Sequence, residues 1–225
     1  MWIMYQSVDH AGNILVQKTY RGGNGPVILL NAHLDTVFEF EPNRKIIKDG
    51  NVWSSSEGIL GADDQAGVSV LLHTADYFPY SSFSRKVKFV FTVEEECGLI
   101  GAQQVDDDFL WGIDGAFVVD RRCHGNIVTS CGGYISFCDE RYGAFYEQVA
   151  LEENLDGWKT TAGGSSNTRI WAEHGIQSVN LSVGYGSEHT EGEFVNIEDC
   201  YETVRLLEGV FKRNKEMKNL LWEIR

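Results

Sequence analysis

Short apolar runs of strand length, each closed by an acidic or histidine-bearing motif, constrain this chain more than any other feature. Residues 27–30 read Val-Ile-Leu-Leu without a break, 115–119 and the mostly apolar 87–93 are further runs, and 178–183 is read as another strand. A strand with no polar face has to be covered on both sides, which is the situation of a parallel strand in an α/β sheet. Between the runs the spacing turns helical, as in Val68, Leu71, Leu72 and Ala75 of a helix predicted over 66–77. Strands alternating with helices give a mostly parallel twisted sheet with helices on both faces. In such sheets ligands sit in the crevice outside the carboxyl ends of the strands, so residues at the ends of these runs are brought together.

The rest of the chain fits the same α/β plan. Strands are expected over 2–8 and 14–20 around the turn 9–13, with a short hairpin over 45–53. A short helix is expected over 99–105, and strand over 126–138 broken at Gly132-Gly133. Helices are expected over 142–151, over 166–174 with Gly175 as its stop, and over 196–217. Residues 1–225 are read as one domain without repeats or long linkers.

With 43% hydrophobic and 12% aromatic residues, such a chain can build a sizeable core. Its net charge of −14 argues against nucleic acid and anionic membranes as partners, since both attract basic surfaces. Five cysteines, an odd number without zinc-ribbon or redox spacing, read as free and mostly buried thiols of a reducing compartment. The first residues lack the basic-then-apolar pattern of a signal peptide, and no run approaches the ~18 apolar residues of a membrane helix. A cytoplasmic protein is the expectation.

Five motifs stand in order at the ends of the apolar runs: Asn31-Ala32-His33-Leu34-Asp35-Thr36, Leu60-Gly61-Ala62-Asp63-Asp64, Glu94-Glu95-Glu96-Cys97-Gly98-Leu99, Val118-Val119-Asp120 and Ser187-Glu188-His189-Thr190. Two imidazoles and several carboxylates make up the ligand chemistry that binds zinc and activates water. Taken singly, His33 is a loop histidine beside a turn aspartate, Asp63 a helix N-cap, and residues 94–96 solvated acids. As a set they call for a metal. Asp35 is placed to accept the second N–H of a ligating His33. Two adjacent acids, Asp63 and Asp64, repel unless a cation reverses the local electrostatics. Of the Glu run, one carboxylate would serve as ligand and a neighbour as proton acceptor. His10, His73 and His174 read as structural or surface groups, and His124 as a weak candidate for the site.

These motifs resemble those of the co-catalytic zinc exopeptidases of metallopeptidase clan MH, which include peptidase T, the aminopeptidases of families twenty-eight and forty-two, and related deacylases. The segment 60–67 is most similar to peptidase T, and 95–102 equally to the family twenty-eight aminopeptidases. The closing segments 163–167 and 184–195 fit as well, so the resemblance spans about residues 25–212. It implies that Asp63 bridges two Zn2+ ions, with Co2+ or Mn2+ as alternatives. His33 and Asp120 would complete one site, and Glu96 and His189 the other. Asp35 would orient His33, and Glu95 would be the general base. A cis peptide bond at Asp63–Asp64 is also implied.

The chain departs from that pattern in two ways. The interval from Asp120 to His189 is too short for the lid and dimerisation domain that peptidase T and its relatives insert there. His33 also lies too near the start for the usual amino-terminal helix. The expectation is therefore a lidless hydrolase with an open cleft formed by the loops 38–58, 132–139 and 184–193. Trp53, Tyr134 and Tyr185 lie in those loops. An aminopeptidase on small peptides leads, with Asp64 or Glu188 receiving a substrate ammonium. Arg121 and Arg122, by binding a substrate carboxylate, would favour a dipeptidase, carboxypeptidase or N-acyl amino acid deacylase instead. Tyr185 is a candidate donor to the oxyanion. A non-catalytic metal-binding relative is the reading from another class, and the oligomeric state stays open.

Overall fold

The computed structural model describes residues 4–225. The elements run β1 (Met4–Val8), β2 (Ile14–Tyr20), β3 (Ile28–His33), β4 (Ile46–Asp49), β5 (Val52–Ser55), α1 (Ala62–Tyr77), β6 (Arg85–Thr92), α2 (Ile100–Gln103), α3 (Asp107–Leu110) and β7 (Gly115–Arg121). They continue with β8 (Asn126–Cys131), β9 (Ile135–Ser136), α4 (Glu140–Glu152), β10 (Lys159–Gly163), α5 (Asn167–Glu173), β11 (Gln177–Ser182), β12 (Tyr185–Gly186), β13 (Phe194–Asn196), α6 (Ile197–Lys212) and α7 (Asn214–Glu223). The residues expected to open the first strand, 2 and 3, lie outside the described ones.

The main sheet has the order β1-β2-β6-β3-β7-β11-β8-β10, with β9 on β8. Its four central strands β6, β3, β7 and β11 are parallel. β6, β3 and β7 contain the apolar runs of the sequence, β3 being buried along its whole length, whereas the largely buried β11 alternates Ser178, Asn180 and Ser182 with Val179 and Leu181. The flanks differ from a purely parallel plan. β1 and β2 form an antiparallel hairpin against β6, and β8 runs antiparallel to β11. β12, β13, β5 and β4 form a second, smaller sheet.

Side-chain alternation along the central strands sends one row of residues into each core. Ile28, Leu30 and Ala32 of β3 face the larger core with Phe117 of β7, covered by α1, α4, α6 and α7. Leu29 of β3 and Val118 of β7 face the smaller core, covered by α2, α3 and α5 through Ala102, Leu110 and Trp171. Helices thus cover both faces. The region expected as one helix over 196–217 is two, because the backbone breaks at Arg213 (φ −96°, ψ 31°) between α6 and α7. All five cysteines are free, as expected, but Cys97 and Cys123 are exposed rather than buried. No helix among the described residues is long and apolar enough to cross a membrane.

Candidate metal centre

The parallel register sets the levels of the functional groups. His33 is the last residue of β3 and pairs with Thr92, the last of β6, while Asp120 sits at the end of β7. The chain leaving β6 therefore delivers Glu95 and Glu96 to the edge where His33 and Asp120 emerge. Asp63 and Asp64 come from the opposite direction, at the start of α1. There Gly61 holds a left-handed turn (φ 75°), in which a Cβ would meet the Phe40 ring at 2.5 Å. At Gly67 the helix presses on β7 so closely that a Cβ would lie 2.0 Å from the Val119 carbonyl oxygen. The Asp63–Asp64 peptide bond is cis.

Two sets of ligand atoms result. His33, Asp63 and Asp120 offer atoms within 4.8 Å of one another, and so do Asp63, Glu96 and His189. Asp63 belongs to both. Its Oδ1 lies 3.0 Å from His33 Nε2, and its Oδ2 3.2 Å from His189 Nε2. Asp120 Oδ1 is 3.8 Å from His33 Nε2, and Glu96 Oε1 is 2.8 Å from His189 Nε2. These donors fit divalent cations on their own chemistry. Among the described residues, the buried Glu96 Oε1 is satisfied by no well-aligned hydrogen bond, since the 2.8 Å approach of His189 Nε2 lacks the geometry of one. Burial pushes the Asp120 carboxyl well above its usual range; nearby His33 opposes the rise, and the charges of Asp63 and Glu95 add to it. A crowd of buried, mutually repelling carboxylates is the arrangement that cations reverse.

The surrounding groups hold these atoms in place. His33 Nδ1 hydrogen-bonds the Asp35 carbonyl oxygen at 3.0 Å, so the Asp35 backbone fixes the imidazole, while Asp35 Oδ1 stands 3.4 Å from Nδ1 without a hydrogen bond. Asp35 Oδ2 accepts from the Glu96 backbone N–H at 3.1 Å, which ties the two motifs. His33 is itself almost wholly buried. Burial opposes its charge, but the contacts to Asp35 and Asp63 and the charges of Asp120 and Asp64 outweigh this and raise its pKa well above the usual value. Glu95 beside them has its pKa pushed up to about 7 by burial first; His33 pulls it down, and the charges of Glu96, Asp63 and Asp35 push it further up.

Three expectations need correction. Asp64 cannot receive a substrate ammonium, because it is fully buried. Its Oδ2 accepts from His33 N–H at 3.0 Å and its Oδ1 from Gly67 N–H at 3.1 Å, so it braces β3 against α1. Tyr185 lies in β12, buried, and gives its one hydroxyl proton to Asp120 Oδ1 at 3.0 Å, so that proton is committed to the carboxylate rather than to an oxyanion. Burial, then the neighbouring carboxylate charges, hold the phenol pKa well above its usual value, keeping the donor in place. Of the other two aromatics in the expected loops, Tyr134 is exposed in the turn after β8, and Trp53 lines a separate groove beside α1. Neither lines the metal cleft. His124 also lies outside both ligand sets and pairs with Glu202 at 2.6 Å.

The cleft has a volume of about 270 Å³ and is lined on one side by Asp63, Glu95, Glu96, Asp120 and His189. It extends past Arg121 and Arg122 to Val128 and the residues 164–166. Arg122 Nη1 is bound to Glu188 Oε1 at 2.7 Å, and the arginine side chain is 52% exposed.

Two positioning residues have no metal-like signal in the sequence. Asn13 in the first hairpin accepts from Val93 N–H at 3.1 Å and donates to the Gly101 carbonyl at 2.8 Å, clasping the Glu95-Glu96 loop from both ends. Glu193 is 1% exposed. Its Oε2 accepts from Gly61 N–H at 2.7 Å and its Oε1 from Asp63 N–H at 2.9 Å. The loop that carries His189 is thereby locked to the loop that carries Asp63. In Glu193→Gln one buried N–H would face an amide NH2, and an orphaned donor costs ~1–3 kcal/mol. The expected result is a metal-free Tm lower by about 2–4 °C per kcal/mol, with the His189-side ion bound more weakly than the His33-side ion. Thermal melts with metal titration test this, and equal weakening of both ions would argue against the lock.

Residues 13–120 match Peptidase family M28. The chain is 29% identical over 315 residues to the uncharacterized protein YqjE of Bacillus subtilis (strain 168), covering 90% of this chain and 84% of that one. An alignment of 315 positions exceeds the 225 residues available here, so at least 90 positions of that relative face gaps. Over 93 residues it is 38% identical to Peptidase T of Lactobacillus helveticus, covering 40% of this chain and 22% of that protein. Similar folds include aminopeptidase PepT from Bacillus cereus ATCC 10987, with TM-score 0.74, 17% identity and coverage of 94% of this chain and 88% of that one. A tripeptidase from Staphylococcus aureus has TM-score 0.76, 19% identity and coverage of 93% and 88%.

The chain has the fold of these aminopeptidase and tripeptidase structures, and its residues 13–120 match peptidase family M28. Between Asp120 and His189 stand β8, β9, α4, β10, α5, β11 and β12; of these strands all but the two-residue β12, which belongs to the second sheet, are part of the main sheet.

Proposed function

We propose that this chain is a metal-dependent exopeptidase that acts as an aminopeptidase on small peptides, holding two Zn2+ ions, with Co2+ or Mn2+ able to replace them. The observation that carries this reading is the pair of three-residue ligand sets that share Asp63. His33, Asp63 and Asp120 would hold one ion; Asp63, Glu96 and His189 the other. Bound there, the ions would supply Lewis acidity for amide hydrolysis.

The chain's own residues do the remaining work. Glu95 lines the cleft beside both ligand sets without belonging to either. Its carboxylate takes the proton of the attacking water and returns it to the leaving amine. Asp35 keeps Nδ1 of His33 occupied, which would leave Nε2 as the atom to hold an ion. Tyr185 fixes the angle of Asp120 through its hydroxyl. The strands that join Asp120 to His189 form the sheet rather than a cover, so substrates reach the cleft from solvent, and folded proteins with inaccessible ends are poor substrates. Five free thiols suit a reducing compartment, for which the cytoplasm is the proposal.

The test is hydrolysis of short peptides and aminoacyl amides by chelator-stripped protein with and without added Zn2+, Co2+ or Mn2+. Metal-dependent release of free amino acids is expected. No turnover of any such substrate with any of the three metals would leave a metal-binding relative without catalysis.

A further inference from the structure

We infer that Arg121 is the site's receptor for a substrate carboxylate, so that the preferred substrates carry a free α-carboxylate on the residue directly after the scissile amide. This rests on the hydrolase reading above and narrows its substrate class. The two arginines that follow Asp120 line one cleft with the ligand residues, but their commitments differ. Arg122 is already neutralised by Glu188 and half-exposed. Arg121 makes one side-chain contact among the described residues, from Nε to Asn126 Oδ1 at 3.3 Å, and no carboxylate pairs with it.

That single contact positions the guanidinium. Asn126 is itself fixed, since its backbone N–H donates to Ser182 Oγ at 3.0 Å and its Nδ2 to the His124 carbonyl at 3.1 Å. The Arg121 backbone is held in β7, opposite Ser182 of β11, and its carbonyl accepts from Val183 N–H at 2.8 Å. A side chain gripped at Nε keeps its two terminal nitrogens for a partner, and that planar fork matches a carboxylate bidentately.

Reach sets the substrate length. Arg121 lines the same cleft as the ligand Asp120. One extended peptide residue spans roughly 3.3–3.6 Å, so a dipeptide whose amide lies at the ligand sets carries its terminal carboxylate one residue further within the cleft whose wall Arg121 forms. Charge supports the same assignment. Among the side chains lining the cleft Arg122 is paired with Glu188, and Arg121 is the guanidinium left without a carboxylate partner. Dipeptides and N-acyl amino acids share this carboxylate.

The experiment compares, for metal-loaded wild type, Arg121→Met and Arg121→Lys, a dipeptide, its C-terminal amide, and an N-acetyl amino acid. Wild type is expected to prefer the free dipeptide acid over the amide. Arg121→Met should lower kcat/KM for the acid roughly 10- to 100-fold, the scale of hydrogen bonds to a charged group, mainly through KM. Its effect on the amide should be at least tenfold smaller. Arg121→Lys, which keeps the charge and loses the fork, should fall between. Turnover of the dipeptide but not the acetyl compound identifies peptides as the source of the carboxylate, and the reverse identifies acyl amino acids. Equal effects of Arg121→Met on acid and amide would overturn the assignment. If nothing is hydrolysed, the hydrolase reading fails on its own. Calorimetric binding of acid and amide to wild type and Arg121→Met then still decides the role of Arg121, since loss of the acid's advantage supports it and no change refutes it.

Discussion

Glu95→Gln is expected to keep the fold and both bound ions while losing ~10²–10⁴-fold in kcat, the range for removal of a general base. The amide has the size of the carboxylate but cannot accept a proton from water. Glu95 belongs to neither ligand set, so metal content should not follow activity down. Elemental analysis beside single-turnover kinetics checks both halves. Near-normal kcat would remove Glu95 as the base. Loss of an ion together with activity would mean that Glu95 and Glu96 have exchanged roles.

Asp63→Ala is the second large effect, and its direction differs between the metal-free and loaded protein. Removing Asp63 leaves each ligand set with two residues: His33 with Asp120, and Glu96 with His189. Changes one shell further out already cost 10–100-fold in metal affinity, so ~100-fold is a lower bound here, and turnover should disappear. The metal-free protein should not suffer in the same way. Charge on Asp63 raises the carboxyl pKa values of Asp64, Glu96 and Asp120, so its removal relieves repulsion among buried acids. The stabilisation of Tm by added metal should therefore vanish in Asp63→Ala, while the metal-free Tm stays near that of wild type. A metal-free Tm lowered by many degrees would show that the side chain is structural instead.

The contrast between legible and hidden features follows the physics of each segment. β3 and β7 announce themselves because burial on both faces leaves them no polar residue to alternate, and the motifs at their ends mark the functional edge. β10 is the opposite case. Its Lys-Thr-Thr-Ala-Gly sequence lies at the sheet edge with no fully buried residue, so neither period nor hydrophobicity distinguishes it from a loop. The antiparallel β8 and the second small sheet depend on pairing partners far away in sequence, which local pattern does not encode.

At the site, the residues gathered around the ligand sets were legible as chemistry because histidines and clustered acids are rare at strand ends. What they hold on to was not. Asp64 looks like a second available acid until its two oxygens are seen on the backbone N–H groups of His33 and Gly67. Glu193 is one of several acids in a Gly-rich loop, and only the fold aims it at Gly61 and Asp63. Tyr185 and Arg122 both line the cleft, but one hydroxyl and one ion pair decide what each is free to do.

The most direct measurement is a zinc titration of chelator-stripped wild type and Asp63→Ala, read by calorimetry and checked by elemental analysis. A shared Asp63 predicts about two ions per wild-type chain and a collapse of tight binding at both sites in the variant. No tight binding to wild type, or two ions bound as tightly by Asp63→Ala as by wild type, would contradict a dinuclear centre bridged by this residue.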